Sequence, residues 1–157
     1  MKKVRVGWFS FTCCEDSTIL FSELLNTHYD KWKKIIDIRT ARILNKKEDT
    51  NDLDVAFVEG AIASQRDADK LKKIRKSSKI LVAIGACACD GLPSSQRNNF
   101  NSKQRKEIEK EVKDFNLLKE TVPLNKIVRV DEYVQGCPMN EQVFLQTLDK
   151  CIKKVSD

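Results

Sequence analysis

Cysteine is the residue type through which this chain could bind a metal, and its positions are grouped. The six cysteines are Cys13, Cys14, Cys87, Cys89, Cys137 and Cys151. Residues that shape backbone turns stand among the first five, beside Cys87, Cys89 and Cys137, namely Gly85, Gly91, Pro93, Gly136 and Pro138. Because such neighbours form loops rather than pack a core, these five cysteines are candidates for a shared site.

The type of metal can be argued from the residues that accompany the thiols. Zinc sites usually draw cysteine from C-x2-4-C pairs or add histidine, and the only histidine, His28, lies in a predicted helix beside Tyr29. Thiolates supplied by several separate segments are typical of an iron–sulfur cluster, and a [4Fe–4S] cluster takes four cysteine ligands. The pattern therefore favours an iron–sulfur cluster over zinc.

Cys151 has a different setting from the other five. It shares a helical stripe with Phe144, Leu148, Ile152 and Val155. A free cysteine in such a stripe is commonly a small buried hydrophobe, so we expect Cys151 to belong to the core.

Alternating strands and helices must position the other five cysteines. Runs rich in β-branched and aromatic residues predict strands at 4–11, 53–58, 79–84 and 126–130, and the stretch 35–38 could add an edge strand. Helical spacing of apolar residues predicts helices around 19–28, 64–77, 102–115 and the C-terminal segment. This order indicates a flavodoxin-like α/β fold, a mainly parallel sheet with helices on both faces.

The strand assignment predicts where the cysteines meet. Cys13 and Cys14 follow the first strand, Cys87 and Cys89 follow the third, and Cys137 comes a few residues after the fourth. Loops that follow parallel strands emerge at one edge of the sheet, where open α/β folds bind their ligands. We therefore expect these thiols to converge.

Composition narrows the class of protein further. The 157 residues are expected to form one domain, and no apolar run approaches the ~20 residues that a membrane helix needs, so a cytoplasmic protein is expected. The net charge is +6, but the basic residues are mostly interleaved with acidic ones on predicted helix faces. Nucleic-acid binding is therefore disfavoured relative to an acidic protein partner or a redox donor.

Four motifs carry a resemblance to a known family. They are TCCE at 12–15, VEGAI at 58–62, GACACDGLP at 85–93 and GCP at 136–138. In order and spacing they resemble the small subunits of [NiFe] hydrogenases and, equally, the related 20 kDa subunit of respiratory complex I. The resemblance covers nearly the whole chain.

The resemblance implies an electron-transfer subunit that is inactive alone. Such a subunit holds a proximal [4Fe–4S] cluster against a large subunit with a Ni–Fe site, and electrons from hydrogen oxidation pass through the cluster to further iron–sulfur or flavin subunits. No ferredoxin-like cysteine set follows Cys137. We therefore expect a single cluster in one domain, 1–157, without medial or distal clusters.

The resemblance also implies the ligands of the cluster. Cys87 matches the cysteine of the family's G-x-C-A segment, Cys137 that of its G-C-P segment, and Cys14 the first cysteine of the hydrogenase C-x-x-C pair. The second position of that pair is Ser17, whereas the adjacent Cys13 resembles the tandem cysteines of the complex I subunit. The expected ligands are Cys13, Cys14, Cys87 and Cys137.

Several alternatives stay open on the sequence alone. Cys89, Ser17 or Glu15 could replace Cys13 as the fourth ligand. The tandem cysteines favour a complex I-like or energy-converting membrane-associated assembly, whereas the Glu59 segment is more like hydrogenases. A redox- or metal-sensing module is a further alternative, while flavin binding is disfavoured because the first loop is Cys-Cys-Glu-Asp rather than glycine and hydroxyl residues suited to a phosphate.

Glu59 and the polar segment 97–99 each have two possible roles. In the family a glutamate at the position of Glu59 lies near the subunit interface, so Glu59 would orient the cluster loop or take part in proton traffic; otherwise it is a solvated or helix-capping carboxylate. Arg97, Asn98 and Asn99 would cap a turn or face the large subunit.

Overall fold

The computed structural model describes residues 3–46 and 51–156. In chain order the elements are β1 (Val4–Ser10), α1 (Asp16–Ile35), β2 (Ile36–Ala41), β3 (Leu53–Glu59), β4 (Ile62–Ser64), α2 (Gln65–Lys76), β5 (Ser78–Ile84), α3 (Gly85–Asp90), α4 (Ser102–Glu107), α5 (Glu109–Asp114), β6 (Leu117–Val122), β7 (Glu132–Val134) and α6 (Glu141–Ser156). Short 3-10 turns lie at Arg42–Leu44, Gln96–Asn99 and Leu124–Lys126.

The main sheet has five strands in the order β2-β1-β3-β5-β7, and every neighbouring pair is parallel. Strand β2 lies on one side of β1, and β3, β5 and β7 follow in that order on the other side. This is the flavodoxin-like order, so the predicted fold class is confirmed. The predicted edge strand at 35–38 is confirmed as part of β2.

Helices cover both faces of this sheet, as its central strand requires. All seven residues of β3 are buried. Val55 and Phe57 belong to the core shared with α1 and α6, whereas Ala56 and Val58 belong to the core shared with α2 and α3. The middle of the strand, 55–58, is apolar because alternate residues enter two different cores.

Aromatic rings fill the core under α1 and α6. Trp8 stacks on Phe21 with ring centroids 4.1 Å apart. Phe144, which is fully buried, meets the edges of Trp8, Phe21, Trp32 and Phe57 at 5.4–6.4 Å. Cys151 is 1% exposed in the same core, as expected for a buried hydrophobe.

The strand predicted at 126–130 is wrong. A 3-10 turn and irregular backbone occupy this region, and the fifth strand of the sheet is Glu132–Val134. The Asp131 carboxylate accepts a hydrogen bond from the Leu81 N–H, and the Asp131 N–H donates to the Leu81 carbonyl, each at 2.9 Å. Asp131 thereby takes both backbone hydrogen-bonding groups of Leu81 in β5. Strand pairing therefore begins only at the next residue, with Val82 opposite Glu132.

Two further elements differ from expectation. The helix predicted at 102–115 is divided at Ile108 into α4 and α5, and Phe115 is 71% exposed rather than packed. The strand β6 was not predicted; it pairs antiparallel with β4 in a separate two-stranded sheet.

Within the described ranges, 3–46 and 51–156, no helix combines the length and the apolar character needed to cross a membrane.

The aromatic core gives a direct test of the packing. Replacing Phe144 by alanine should lower the free energy of unfolding by about 3–5 kcal/mol, because it opens a cavity between four aromatic rings. The neighbouring Val143→Ala removes a side chain that is 39% exposed and should change the free energy by less than about 0.5 kcal/mol. Urea denaturation of both variants makes the comparison, and equal losses would contradict this packing.

Candidate metal centre

Four cysteines from three separate segments line one cavity at the carboxyl edge of the main sheet. Cys13 and Cys14 lie between β1 and α1, Cys87 lies in α3 directly after β5, and Cys137 lies three residues after β7. Cys87 is buried, Cys13 is partly exposed, and Cys14 and Cys137 are exposed, so the thiols range from the floor of the cavity to its mouth.

Hydrogen bonds hold the Cys137 loop against the other two segments. The Ala86 N–H donates to the Gly136 carbonyl at 2.8 Å, and the Met139 N–H donates to the Ser17 hydroxyl oxygen at 3.1 Å. Gly85 lies at the centre of this contact with a φ of +79°, and a Cβ there would stand 3.1 Å from the Ser17 hydroxyl oxygen. A side chain at position 85 would therefore be strained and would crowd the junction.

Glu59 ties the first cysteine segment to β3. Its carboxylate is 3% exposed and accepts the N–H groups of Ser17 at 3.0 Å and Thr18 at 3.1 Å, together with the Thr18 hydroxyl at 2.6 Å. Glu15, the residue before α1, makes no capping hydrogen bond with its side chain. Glu59 therefore satisfies the unpaired N–H groups of the first turn of α1 from the neighbouring strand.

Of the two roles considered for Glu59, helix capping is the one that the structure shows, although the carboxylate is buried rather than solvated. Burial raises the pKa of Glu59, and the hydrogen bonds from Thr18 and Ser17 oppose that shift only in part. By fixing the start of α1, Glu59 also orients the segment that carries Cys13 and Cys14.

The backbone before Cys13 is fixed in the same way. Thr12 and Ala61 exchange two backbone hydrogen bonds, at 3.1 and 2.9 Å, and the Phe11 N–H donates to the Glu59 carbonyl at 2.8 Å. Gly60 has a φ of +94°, and a Cβ there would lie 2.8 Å from the Phe11 carbonyl carbon. Glycine is therefore required for this close approach of the two chains.

Burial changes the pKa of the two thiols in the first segment, Cys13 and Cys14. It raises the pKa of Cys13 to about 12, and the Glu59 carboxylate adds to this effect. For Cys14 the Asp16 backbone N–H lowers the pKa, but desolvation and the Asp16 carboxylate outweigh it, so the pKa is raised. A metal that binds these sulfurs must displace their protons, which couples binding to proton release.

Two kinds of metal site differ in the spacing of thiolates that they require. Within residues 3–46 and 51–156, no three His, Cys, Asp or Glu side chains come close enough together to hold one metal ion. A single tetrahedral zinc, with Zn–S bonds of about 2.3 Å, would draw its thiolates almost into contact. In a [4Fe–4S] cluster each cysteine binds a different iron atom, so that group accepts a wider arrangement of the same donors.

The structure places the other candidate ligands differently. Cys89 is buried, and its sulfur lies 3.7 Å from each of the carbonyl oxygens of Ala83 and Val134, either of which its S–H can reach, so it faces the core rather than the cavity. Ser17 lines the cavity, whereas Glu15 lines a neighbouring surface groove. His28 packs on Trp32 with ring centroids 5.0 Å apart and is not among the cavity-lining residues.

Arg97 and Asn98 have a structural role. The Arg97 guanidinium donates to the Thr121 hydroxyl and to the carbonyls of Leu118 and Lys119, and Asn98 exchanges two hydrogen bonds with the backbone of Thr121. The two side chains thus fasten the turn after α3 to β6.

Ser94 is a site residue that sequence reasoning missed. Its hydroxyl oxygen lies 3.2 Å from the Cys87 sulfur and 2.9 Å from the Thr12 carbonyl oxygen. A serine in a turn has no distinguishing spacing, and the contact spans 82 residues to Thr12, so no sequence signal marks it.

The fold and the cavity together define a flavodoxin-like domain with a thiol-lined cavity at the carboxyl edge of its sheet. The chain belongs to the family described as NADH ubiquinone oxidoreductase, 20 Kd subunit, which matches residues 13–151.

The relatives of the chain include hydrogenase subunits. The sulfhydrogenase 2 subunit delta of Pyrococcus furiosus is 27% identical over 92% of this chain and 60% of its own length. The NAD-reducing hydrogenase HoxS subunit delta of Cupriavidus necator is 23% identical over 96% of this chain and 79% of its own length. The sequence-based resemblance is therefore confirmed.

A solved structure shows the same fold. The crystal structure of an NAD+-reducing [NiFe]-hydrogenase in the H2-reduced state contains a chain that superposes with a TM-score of 0.83 at 23% identity, covering 98% of this chain and 93% of that chain.

The capping role of Glu59 can be tested by Glu59→Gln. A glutamine amide presents one oxygen and one NH2 group to the two N–H donors of α1, so one donor stays unpaired, and the free energy of unfolding should fall by about 1–3 kcal/mol. Glu23→Gln changes an exposed carboxylate of the same helix and serves as the control. Urea denaturation that finds equal losses in the two variants would contradict the capping role.

Proposed function

We propose that this chain is the electron-transfer small subunit of a cytoplasmic [NiFe]-hydrogenase-type oxidoreductase. Cys13, Cys14, Cys87 and Cys137 hold one proximal [4Fe–4S] cluster, which relays electrons between the Ni–Fe site of a large subunit and further redox carriers. The observation that carries the proposal is the meeting of four thiols from three segments in one cavity.

The protein's contribution is to hold the cluster in a fixed place. When bound, the cluster supplies reversible one-electron transfer. Cys87 binds it from the buried floor, while Cys14 and Cys137 bind it from the mouth. Ser17, Gly136 and Ala86 join the three segments by hydrogen bonds, so the ligands are positioned before the cluster binds.

An apolar rim supports a protein partner at this edge of the sheet. We take as this rim five exposed side chains, each 39–51% accessible, in segments that follow the carboxyl ends of the strands: Ile19 in α1, Ile43 and Leu44 after β2, Leu92 after α3 and Val143 at the start of α6. Apolar residues gathered on one edge mark interaction surfaces, and the two exposed thiols lie within the same edge. We assign this surface to the large subunit, whose docking excludes water from the cluster.

Other polypeptides complete the electron path in this proposal. One domain with one cluster leaves the onward transfer to further iron–sulfur or flavin subunits. The names of the relatives, which are delta subunits of a sulfhydrogenase and of an NAD-reducing hydrogenase, support the assignment to a hydrogenase-type assembly.

A second candidate function rests on the family match and on the tandem cysteines. In this alternative the chain is the 20 kDa-type cluster subunit of a complex I-like or energy-converting membrane-associated oxidoreductase. The adjacent pair Cys13 and Cys14, and the family to which residues 13–151 belong, favour it.

Co-purification separates the two functions. Anaerobic pull-down of the tagged full chain from its native cell should recover a large subunit with two C-x-x-C motifs if the hydrogenase assignment is correct. Recovery of antiporter-like membrane subunits, identified by mass spectrometry, would instead support the energy-converting assembly.

The cluster itself is tested by iron analysis of the anaerobically purified chain. We expect about four iron and four sulfide per chain and an EPR signal on reduction. Cys14→Ala, Cys87→Ala and Cys137→Ala should each lose iron and visible absorption. Zinc without sulfide in the purified wild-type protein would refute the cluster.

Three further cysteine variants accompany these, and the first is a control. Cys151→Ala removes a thiol buried in the core and should retain the full iron content, even if the variant is less stable. Cys13→Ala and Cys89→Ala identify the fourth ligand. Iron loss in the first and retention in the second is expected, and the reverse result would move the fourth ligand to Cys89.

A further inference from the structure

We propose that the Ser94 hydroxyl donates a hydrogen bond to the Cys87 thiolate and raises the reduction potential of the cluster that this sulfur binds. Ser94 is then a positioning residue that tunes the site without being a ligand. The inference rests on the proposed function, since it concerns a bound cluster.

The geometry places the hydroxyl within reach of the sulfur. The Ser94 oxygen lies 3.2 Å from the sulfur of Cys87, a residue that is 6% exposed. The turn that carries Ser94 begins at Gly91, whose φ is +88°, and is closed by a hydrogen bond of 2.8 Å from the Ser95 N–H to the Gly91 carbonyl. Within residues 3–46 and 51–156, Ser94 is the one side chain that hydrogen bonds to this sulfur.

A serine hydroxyl has one proton, so the state of Cys87 decides where that proton points. While Cys87 is a thiol, its S–H can donate to the Ser94 oxygen and Ser94 can donate to the Thr12 carbonyl at 2.9 Å. A thiolate can only accept. Once Cys87 binds iron, the hydroxyl gains more by turning to the charged sulfur, because hydrogen bonds to ionised acceptors are stronger than neutral ones.

Turning the hydroxyl leaves no buried group unpaired. The Thr12 carbonyl also accepts the Ala61 N–H at 2.9 Å, and that bond is unaffected. The reorientation therefore carries no desolvation penalty at Thr12, unlike the removal of a sole partner.

The effect of this hydrogen bond on the reduction potential follows from the negative charge that reduction adds to the cluster. Reduction adds an electron to the cluster and raises the electron density on its sulfur ligands. A donor hydrogen bond stabilises this state more than the oxidised one, so it raises the potential. Ser94 is therefore expected to make the cluster easier to reduce.

The test is an EPR-monitored redox titration of the full chain, purified anaerobically together with its native partners. Ser94→Ala and Ser94→Val should shift the midpoint potential to more negative values, whereas Ser94→Thr, which keeps the hydroxyl, should retain the wild-type midpoint. Thr and Val have similar shapes and differ mainly in that hydroxyl. Ser95→Ala controls for disturbance of the turn and should leave the midpoint unchanged.

Equal midpoints for Ser94→Val and Ser94→Thr would overturn the inference, as would loss of the cluster from Ser94→Thr, because turn packing rather than the hydroxyl would then be required. A shift in Ser95→Ala as large as that in Ser94→Ala would overturn it for the same reason. The two proposals fail separately: wild-type protein without iron refutes the cluster, whereas loaded protein with an unshifted potential refutes only the role of Ser94.

Discussion

The buried carboxylate of Glu59 at the start of α1 is the interaction on which the site depends. A helix begins with N–H groups that lack partners, and here those of Ser17 and Thr18 are satisfied from a neighbouring strand rather than by the local residue Glu15. This contact therefore fixes the position of the start of α1, and of the cysteine segment before it, relative to the end of β3. A local cap would have fixed the helix without fixing it to the sheet.

The positions of the other two cysteine segments depend on this fixed start of α1. Because Ser17 is held by Glu59, its hydroxyl oxygen is in place to accept the Met139 N–H and so locate the Cys137 loop. That loop in turn accepts the Ala86 N–H through Gly136, which sets the start of α3 and Cys87. Three chain segments far apart in sequence are thus joined by short polar contacts, and the flavodoxin-like topology brings them to one edge.

The sequence allowed the convergence of the cysteines to be predicted because each group follows a strand, and parallel strands share a carboxyl edge. It did not reveal the contact of Ser94 with Thr12 or the capping geometry of Glu59, since these contacts join residues 41–82 positions apart and depend on the assembled sheet. Strand β6 escaped prediction because Lys119 and Glu120 interrupt its apolar pattern; Arg97 and Asn98 hold it in place from another turn. The strand expected at 126–130 failed because the Asp131 side chain takes the ladder position that a backbone group would have filled.

The Trp8 indole connects this edge to the interior. Its N–H donates to the Thr18 hydroxyl at 2.8 Å, and that hydroxyl donates to Glu59, while its ring stacks on Phe21. Loosening of the loops is therefore transmitted to the aromatic core, and the two regions should open as one cooperative unit rather than separately. By thermodynamic linkage, anything that binds the folded edge then protects the whole domain against unfolding, including amide hydrogens far from the ligand.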